Sequence, residues 1–388
     1  MSAEVEALSD QGWLLLRTGR DRETAVCRAV CVLASGDGTD SPRLLWRSLF
    51  TLLSAGDLLR ADEHCHRLAT NPVAPRSSLS GQVTSLVQAR VRYLQGRPTE
   101  ALARFEALEA PRGVDPLAGV RAAWTIETLL DLGEPCAADA LLRSMRLDGP
   151  VSPRVPGRSL LLVARGRVRL ALDSPSAAVV DLLDGGRELV NRGVVNPAVA
   201  RWRSHAALAF IHDRADTSRV LATEELSLAQ GWGALPDLGW ALHVDALVSA
   251  DEQTPGRLAE AIELLEVAGA RTELTEVLYG AAKVFVSTGD LPAGRQRLHR
   301  AAEIAAEDGR VQWKSRVDVA LDQLSRRRPP CRLTKQQWRV ATLARSGSTN
   351  QDIAHQLQLS VRAVEFHLSA TYRRLGISGR QELYQTIG

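Results

Sequence analysis

Lysine is almost absent from this chain: of 48 basic residues only Lys283, Lys314 and Lys335 are lysines, which leaves 45 arginines. That scarcity excludes two function classes. A phosphate-binding G-x-x-x-x-G-K-[ST] loop needs a lysine directly after a glycine, and none of the three follows one. A phosphoacceptor receiver needs an acidic cluster and a lysine on an α/β fold, and no strand-rich stretch precedes Lys283, the first lysine. Cysteine is scarce as well. Cys27, Cys31, Cys65, Cys136 and Cys331 are too few and too scattered for a disulfide framework. Glu4, Glu6 and Asp10 precede the first basic residue, Arg17, so no secretory leader is recognisable, and the expected compartment is the reducing cytoplasm. No apolar run approaches the roughly 18 residues that suggest a membrane-spanning helix.

Catalytic patterns are equally thin. There is no nucleophile–base pairing and no carboxylate dyad, so neither an enzyme nor a cofactor or metal is expected. His64-Cys65-His66 lacks the spacing of a zinc site, and adjacent residues on a helix point apart. Cys27 and Cys31 share a helical face at i, i+4 and read as two buried small apolar residues. His205 and His212 have no partner pattern and read as exposed or satisfied. Trp13, Trp46, Trp124, Trp202, Trp232, Trp240, Trp313 and Trp338 read mainly as core anchors; the alternative is that those in the body of the chain line a concave ligand pocket.

What is abundant is helix. Leu, Ala, Arg and Glu recur with a 3.6-residue period as far as about Ala320, and the pattern breaks at regular places. The clearest breaks are at Gly19, Gly56, Gly96, Gly133 and Gly289, with weaker ones near Asp173, Ala215 and Asp251. Successive breaks lie about 35 to 42 residues apart, the period of helical-hairpin repeats. Leu94-Gln95-Gly96 with Ala101 and Phe105 is the most tetratricopeptide-like copy. The expected fold is all-α: about eight degenerate tetratricopeptide-like repeats over residues 1–324, stacked into a superhelix. An irregular helical bundle is the alternative. Pauses are expected at Asn71–Pro75 and Asp148–Pro153. The segment 325–332, with Arg326, Arg327, Arg328, Pro329 and Pro330, reads as a linker to a separate unit at 333–388.

That last unit reads as four short helices with dense start signals. Thr334-x-x-Gln337, Thr349-x-x-Asp352 and Ser378-x-x-Gln381 fit capping boxes, Ser360 is a plain N-cap, and Gly347 and Gly376 reverse the chain. From Val361, Val364, Leu368, Tyr372 and Leu375 form one buried stripe, with Arg362, Glu365, Phe366, Ser369 and Arg373 on the other face. Only Gln358-Leu359 separates the preceding helix from the Ser360 cap, as in a helix-turn-helix; a small bundle that binds another protein is the alternative. Charge agrees with the first reading. Residues 326–388 hold 11 Lys/Arg against 3 Asp/Glu, a basic segment on an otherwise slightly acidic chain.

Leu333-Thr334, Ser348 to Ala354, Leu359 to Ser369 and Tyr372 to Ile377 resemble the LuxR-type (NarL/FixJ) DNA-binding domain. The resemblance covers about 55 residues without a gap. It implies that Val361–Leu375 is the recognition helix, with Glu365, Phe366 and Ser369 facing base edges. It further implies that Thr349, Asn350, Ser360 and Arg362 hold phosphates, and that Val361 and Arg373 complete the DNA-contacting set. Helix N-termini are natural phosphate sites, which agrees with that assignment. The last helix, with Gln381, Tyr384 and Gln385, looks like the family's dimerisation element. One departure stands out: Glu365 occupies a position where several members carry a basic residue. A carboxylate there would accept a hydrogen bond from cytosine N4 rather than grip phosphate.

Trp202-Arg203-Ser204, Leu221 to Ala234 and Leu238 to Leu265 bring a looser resemblance to the C-terminal part of the large ATP-binding LuxR-family regulators. Those begin with a P-loop ATPase that is missing here, so the chain looks like a short relative or a detached C-terminal part of one. The resemblance implies a transcriptional regulator whose partners are promoter DNA, a second copy of the chain, RNA polymerase, and a protein or small-molecule effector on the repeats. The other reading is a repeat-protein adaptor with a vestigial helix-turn-helix. Deleting residues 326–388 separates the two, because an adaptor would keep its partners.

Overall fold

The computed structural model describes residues 3–35, 40–70, 78–108, 115–326, 333–375, 377, 379–380 and 382–383. Among the described residues there are twenty helices and no strand. The chain divides into two compact units, Met1–Leu321 and Asp322–Gly388.

In the first unit sixteen helices pair into eight hairpins. They are α1 (Ala3–Thr18) with α2 (Arg22–Ala34), α3 (Pro42–Ser54) with α4 (Leu58–Ala69), α5 (Leu79–Leu94) with α6 (Pro98–Glu106), and α7 (Ala118–Asp131) with α8 (Pro135–Ser144). The series continues as α9 (Arg158–Ala171) with α10 (Pro175–Asn191), α11 (Trp202–Phe210) with α12 (Ala215–Trp232), α13 (Leu235–Ser249) with α14 (Thr254–Ala268), and α15 (Arg271–Ser287) with α16 (Leu291–Glu307). A further helix, α17 (Val311–Arg326), follows.

Each expected break falls at the turn inside a hairpin, and the physical reason is local. At Gly56 the backbone adopts φ +78°, a left-handed conformation that costs glycine little. Its N–H donates to the Leu53 carbonyl at 3.1 Å and the Asp57 N–H to Leu52 at 2.9 Å, which closes α3. Asp57 then accepts from the Arg60 N–H at 3.3 Å and so starts α4. The same two-bond closure recurs at Gly96, Gly133, Asp173 and Gly289. Five residues past these turns sits a small buried residue, and nine past them a larger one: Ala61 with Cys65, Ala101 with Phe105, Ala138 with Leu142, Ala178 with Leu182 and Gly294 with Leu298. The small residue lets the second helix approach the first, and the larger one fills the space between hairpins. Asp148–Pro153 is non-helical, as expected; Asn71–Pro75 lies outside the described residues.

From α3 onward the first helix of each hairpin buries more residues than the second. In α13 every residue from Gly239 to Ala246 is buried, whereas α14 buries mainly Thr254, Leu258, Ala261 and Leu265. The array also touches itself. Asn196 Nδ2 donates to the Leu16 carbonyl at 2.8 Å across 180 residues. Trp232 Nε1 donates to the Ser54 carbonyl at 2.8 Å across 178. The buried Arg310 guanidinium meets Asp131 across 179. One winding therefore takes about 180 residues, between four and five hairpins.

Two sequence expectations need correction. Cys27 and Cys31 are exposed. They do share a face of α2, but Ala25, Ala29, Val32 and Leu33 form the buried one; an i, i+4 pair cannot say which way it points. His205 is neither freely exposed nor hydrogen-bonded through its side chain among the described residues: it packs against Trp240, ring centroids 5.8 Å apart, on the wall of a partly open cavity. In the His64-Cys65-His66 triplet, Cys65 points inward and His66 outward. No helix among the described residues is long and apolar enough to cross a membrane.

Candidate nucleic-acid interface

The second unit is built on α18 (Lys335–Arg345), α19 (Asn350–Leu357) and α20 (Val361–Leu375). Thr334 starts α18 through a full capping box: its Oγ1 accepts from the Gln337 N–H at 3.2 Å and Gln337 Oε1 accepts from the Thr334 N–H at 3.0 Å. Gly347, at φ +90°, turns the chain after α18. Thr349 and Asp352 form the same reciprocal pair at the start of α19, with bonds of 3.2 and 2.9 Å. That exchange, first through the Thr349 hydroxyl and then through its N–H, holds the Asp352 carboxyl below its ordinary pKa. Gln358 ends α19 in a left-handed conformation, φ +53°, and Ser360 Oγ caps α20 by accepting from the Ala363 N–H at 3.1 Å. Ser378 and Gly376 lie outside the described residues.

A small apolar core fixes how these helices cross. Val340, Ala341, Ala344, Ile353, Ala354, Val364, Leu368 and Leu383 are buried, and Leu357, Leu359 and Tyr372 pack against them. The expected stripe of α20 thus anchors it, with Val364 at 0% and Leu368 at 4% exposure. The opposite face is open. Val361, Arg362, Glu365, Phe366, Ser369 and Arg373 are all exposed, and Phe366 shows 67% of its surface. Its ring meets only the edge of its neighbour His367, centroids 5.9 Å apart, among the ring contacts of the described residues. Among the described residues no ion pair or hydrogen bond engages the side chains of Arg362, Glu365 or Arg373. Thr349 and Ser360 lie at the two helix starts, where free amides point outward. Gln381, Tyr384 and Gln385 lie outside the described residues.

One residue was not anticipated. Arg380 Nε donates to the Ala344 carbonyl at 3.2 Å, Nη2 donates to the Ser348 carbonyl, and Nη1 donates to Asn350 Oδ1 at 3.4 Å. It therefore ties the end of α18 to the start of α19. Asn350, taken from the resemblance as a phosphate contact, is held by its oxygen and keeps its amide hydrogens for an outside acceptor. Nothing local marks Arg380, since two of its partners are backbone carbonyls more than 30 residues away.

Residues 332–387 match the family model described as bacterial regulatory proteins, luxR family. This segment is a LuxR-family helix-turn-helix domain. The HTH-type transcriptional regulator MalT of Vibrio cholerae serotype O1 is 37% identical over 54 residues, 14% of this chain and 6% of that protein. The chain thus aligns with only a small part of that relative. Among solved structures, a Rap protein complexed with competence and sporulation factor superposes with a TM-score of 0.48 at 11% identity, covering 89% of this chain and 94% of that one. A signal-transduction ATPase with a tetratricopeptide repeat sensor from Pyrococcus horikoshii gives 0.41 at 13%, covering 95% and 51%. The LuxR-family domain is thus a C-terminal module after eight helical hairpins of low sequence similarity to these structures.

Proposed function

We propose that this protein is a sequence-specific transcriptional regulator. Residues 333–388 read promoter DNA as a dimer, and residues 1–324 form a repeat body that senses an effector, joined through 325–332. The observation that carries this reading is the outer face of α20. It is anchored by a buried stripe yet presents Arg362, Glu365, Phe366, Ser369 and Arg373 to solvent, with no hydrogen bond or ion pair to the side chains of Arg362, Glu365 or Arg373 among the described residues. A helix so presented fits the major groove. Arg362 and the amides at Thr349 and Ser360 would meet phosphates. Glu365, Phe366 and Ser369 would meet bases, and Gln381, Tyr384 and Gln385 would face the second copy. RNA polymerase is the further partner expected of a promoter-bound regulator.

The experiment is capture of fragmented source genomic DNA by the full-length protein, followed by sequencing, for wild type, Glu365→Ala and Arg362→Ala. The expected outcome is a two-fold-related motif upstream of genes. Glu365→Ala changes the preferred base at one position of each half-site; Arg362→Ala weakens all sites alike and reduces the salt dependence by about one phosphate. An identical motif for wild type and Glu365→Ala would remove Glu365 from the base-reading set. Sequence-independent recovery by the wild type would contradict unaided specific binding.

A further inference from the structure

The repeat unit lines a partly open cavity of about 150 Å³, walled mainly by the first helices of successive hairpins. Its lining is unusual for a solenoid interior, because it combines aromatic rings with many charges. Glu127, Asp131, Asp237, Glu273 and Glu276 supply five carboxylates; Arg90, Arg167 and Arg201 supply three guanidinium groups. Most of these charges are matched. Arg90 donates to Glu127 at 2.6 Å, and Arg167 lies 3.7 Å from the same carboxylate. Arg201 is shared between Asp237 at 2.8 Å and Glu273 at 3.0 Å. Asp131 is held by the buried Arg310 behind the wall. Glu276 is left over. It makes no hydrogen bond or ion pair among the described residues, although it lines the cavity.

A second, independent feature points the same way. Trp240, on the cavity wall and 3% exposed, has an indole Nε1 that donates to nothing among the described residues. A buried donor without an acceptor is costly. Burial, more than any neighbouring charge, sets how the unpaired carboxyls titrate. Burial raises the Glu276 carboxyl above its ordinary pKa, against the pull of Arg167 and Arg310, and the neighbouring Glu273 adds to the rise. Burial raises Asp131 to about 7, against Arg310, with Glu273 and Glu276 adding to the rise. Despite desolvation, Arg167 is held above its usual value by Glu127 and its neighbours. Burial, with Arg167 and Arg201 nearby, holds His205 well below its ordinary pKa.

We infer that this cavity binds a small organic ammonium ion, with its charge met by Glu276 and an acceptor atom of the same molecule reached by Trp240 Nε1. A cavity of this size holds a molecule of about six to eight heavy atoms, by comparison with cavities that accept benzene. The apolar part of the wall, with Leu53, Leu94, Leu160, Val163 and Val199, suits an organic ion rather than a hydrated metal ion; the aromatic rings already carry the protein's own cations, Arg90 over Tyr93 and Trp124 and Arg201 over Trp240. Its carriers span the array, with Glu127 on α7, Arg167 on α9, Trp240 on α13 and Glu276 on α15, so occupancy ties distant hairpins together. The inference names the effector class of the sensory body and rests on the proposed regulator reading only for its consequence at DNA. Binding itself is measured without DNA.

The test is calorimetry on the full-length protein with choline, piperidine and histamine as probes, and 3,3-dimethylbutan-1-ol as the uncharged counterpart of choline. At least one cation is expected to bind with Kd below about 1 mM, and the uncharged counterpart not at all. Glu276→Gln should weaken that cation at least tenfold, whereas Glu260→Gln, on the exposed face of α14, should leave it unchanged. Ligand-free Glu276→Gln should also melt higher than wild type, because the variant lacks an uncompensated charge. Absence of binding by every cation, or equal binding by Glu276→Gln, would overturn the site. A lower melting temperature for ligand-free Glu276→Gln would equally overturn it, by making Glu276 a structural partner of Arg167. DNA binding by the same preparations is scored separately, so a failed site leaves the DNA reading standing or falling by itself.

Discussion

Glu225 on α12 offers a sharp test of the energetics. It is 1% exposed, and neither carboxyl oxygen has a hydrogen bond of good geometry among the described residues. Burial raises its pKa from 4.5 to about 7, partly opposed by the nearby Ser204 and Arg203. A carboxyl whose folded pKa is raised binds more protons in the folded state than in the unfolded one. Its contribution to stability is therefore most favourable below about pH 4.5, declines as pH rises, and levels off above about pH 7. At 1.36 kcal/mol per pH unit the full swing is about 3 kcal/mol. Glu225→Gln, which mimics the protonated group, should match wild type near pH 4.5. It should then become progressively the more stable protein, by up to about 3 kcal/mol at pH 8. Urea unfolding of both proteins at pH 5, 6, 7 and 8 measures this, and taking the difference between them cancels every other titrating group. A difference that stays constant with pH, or a variant weaker at pH 8, would refute the assignment of a desolvated, uncompensated carboxyl.

Three further outcomes follow from the geometry. Trp232→Phe removes the bond to the Ser54 carbonyl and part of a buried ring, and should cost about 2–4 kcal/mol in urea unfolding; a loss below about 1 kcal/mol would mean this junction is not holding the windings. Arg380→Ala should lower affinity for the captured DNA motif by roughly tenfold without changing its sequence, because it loosens the start of α19 rather than a base contact. Anisotropy titration reads this, and a changed motif would contradict it. Brief maleimide treatment followed by peptide mapping should modify Cys27, Cys31 and Cys136 and spare Cys65, whose thiol is buried and pushed up to about 12; early labelling of Cys65 in the folded protein would contradict the buried packing of α4.

The hairpin turns were legible because their causes are local. A left-handed position favours glycine, a following proline or aspartate opens the next helix, and small residues recur five positions on. The face of α20 was legible for a similar reason, since its stripe of Val364 and Leu368 leaves only one orientation for Glu365 and Phe366. What could not be read was anything set by distant partners. Trp232 meets Ser54 and Arg310 meets Asp131 across nearly half the chain, and no pattern within a window carries that information. The orientation of Cys27 and Cys31 failed because periodicity groups residues into faces without labelling the inner one. Arg380 and Glu276 escaped because their roles depend on which groups fold brings near them.

The contacts that recur at about 180 residues alter what kind of object the repeat unit is. In an open solenoid each repeat leans only on its neighbours, so stability accumulates along the line and either end can fray alone. Here the first, second and fourth hairpins also rest on chain laid down a full winding later, and the array behaves like a hoop, not a spring. Losing a terminal hairpin would take the footing from a second one, remote in sequence. Unfolding would then pass from piecewise to all-or-none, and a molecule lodged at the centre would act as a keystone for the whole circumference.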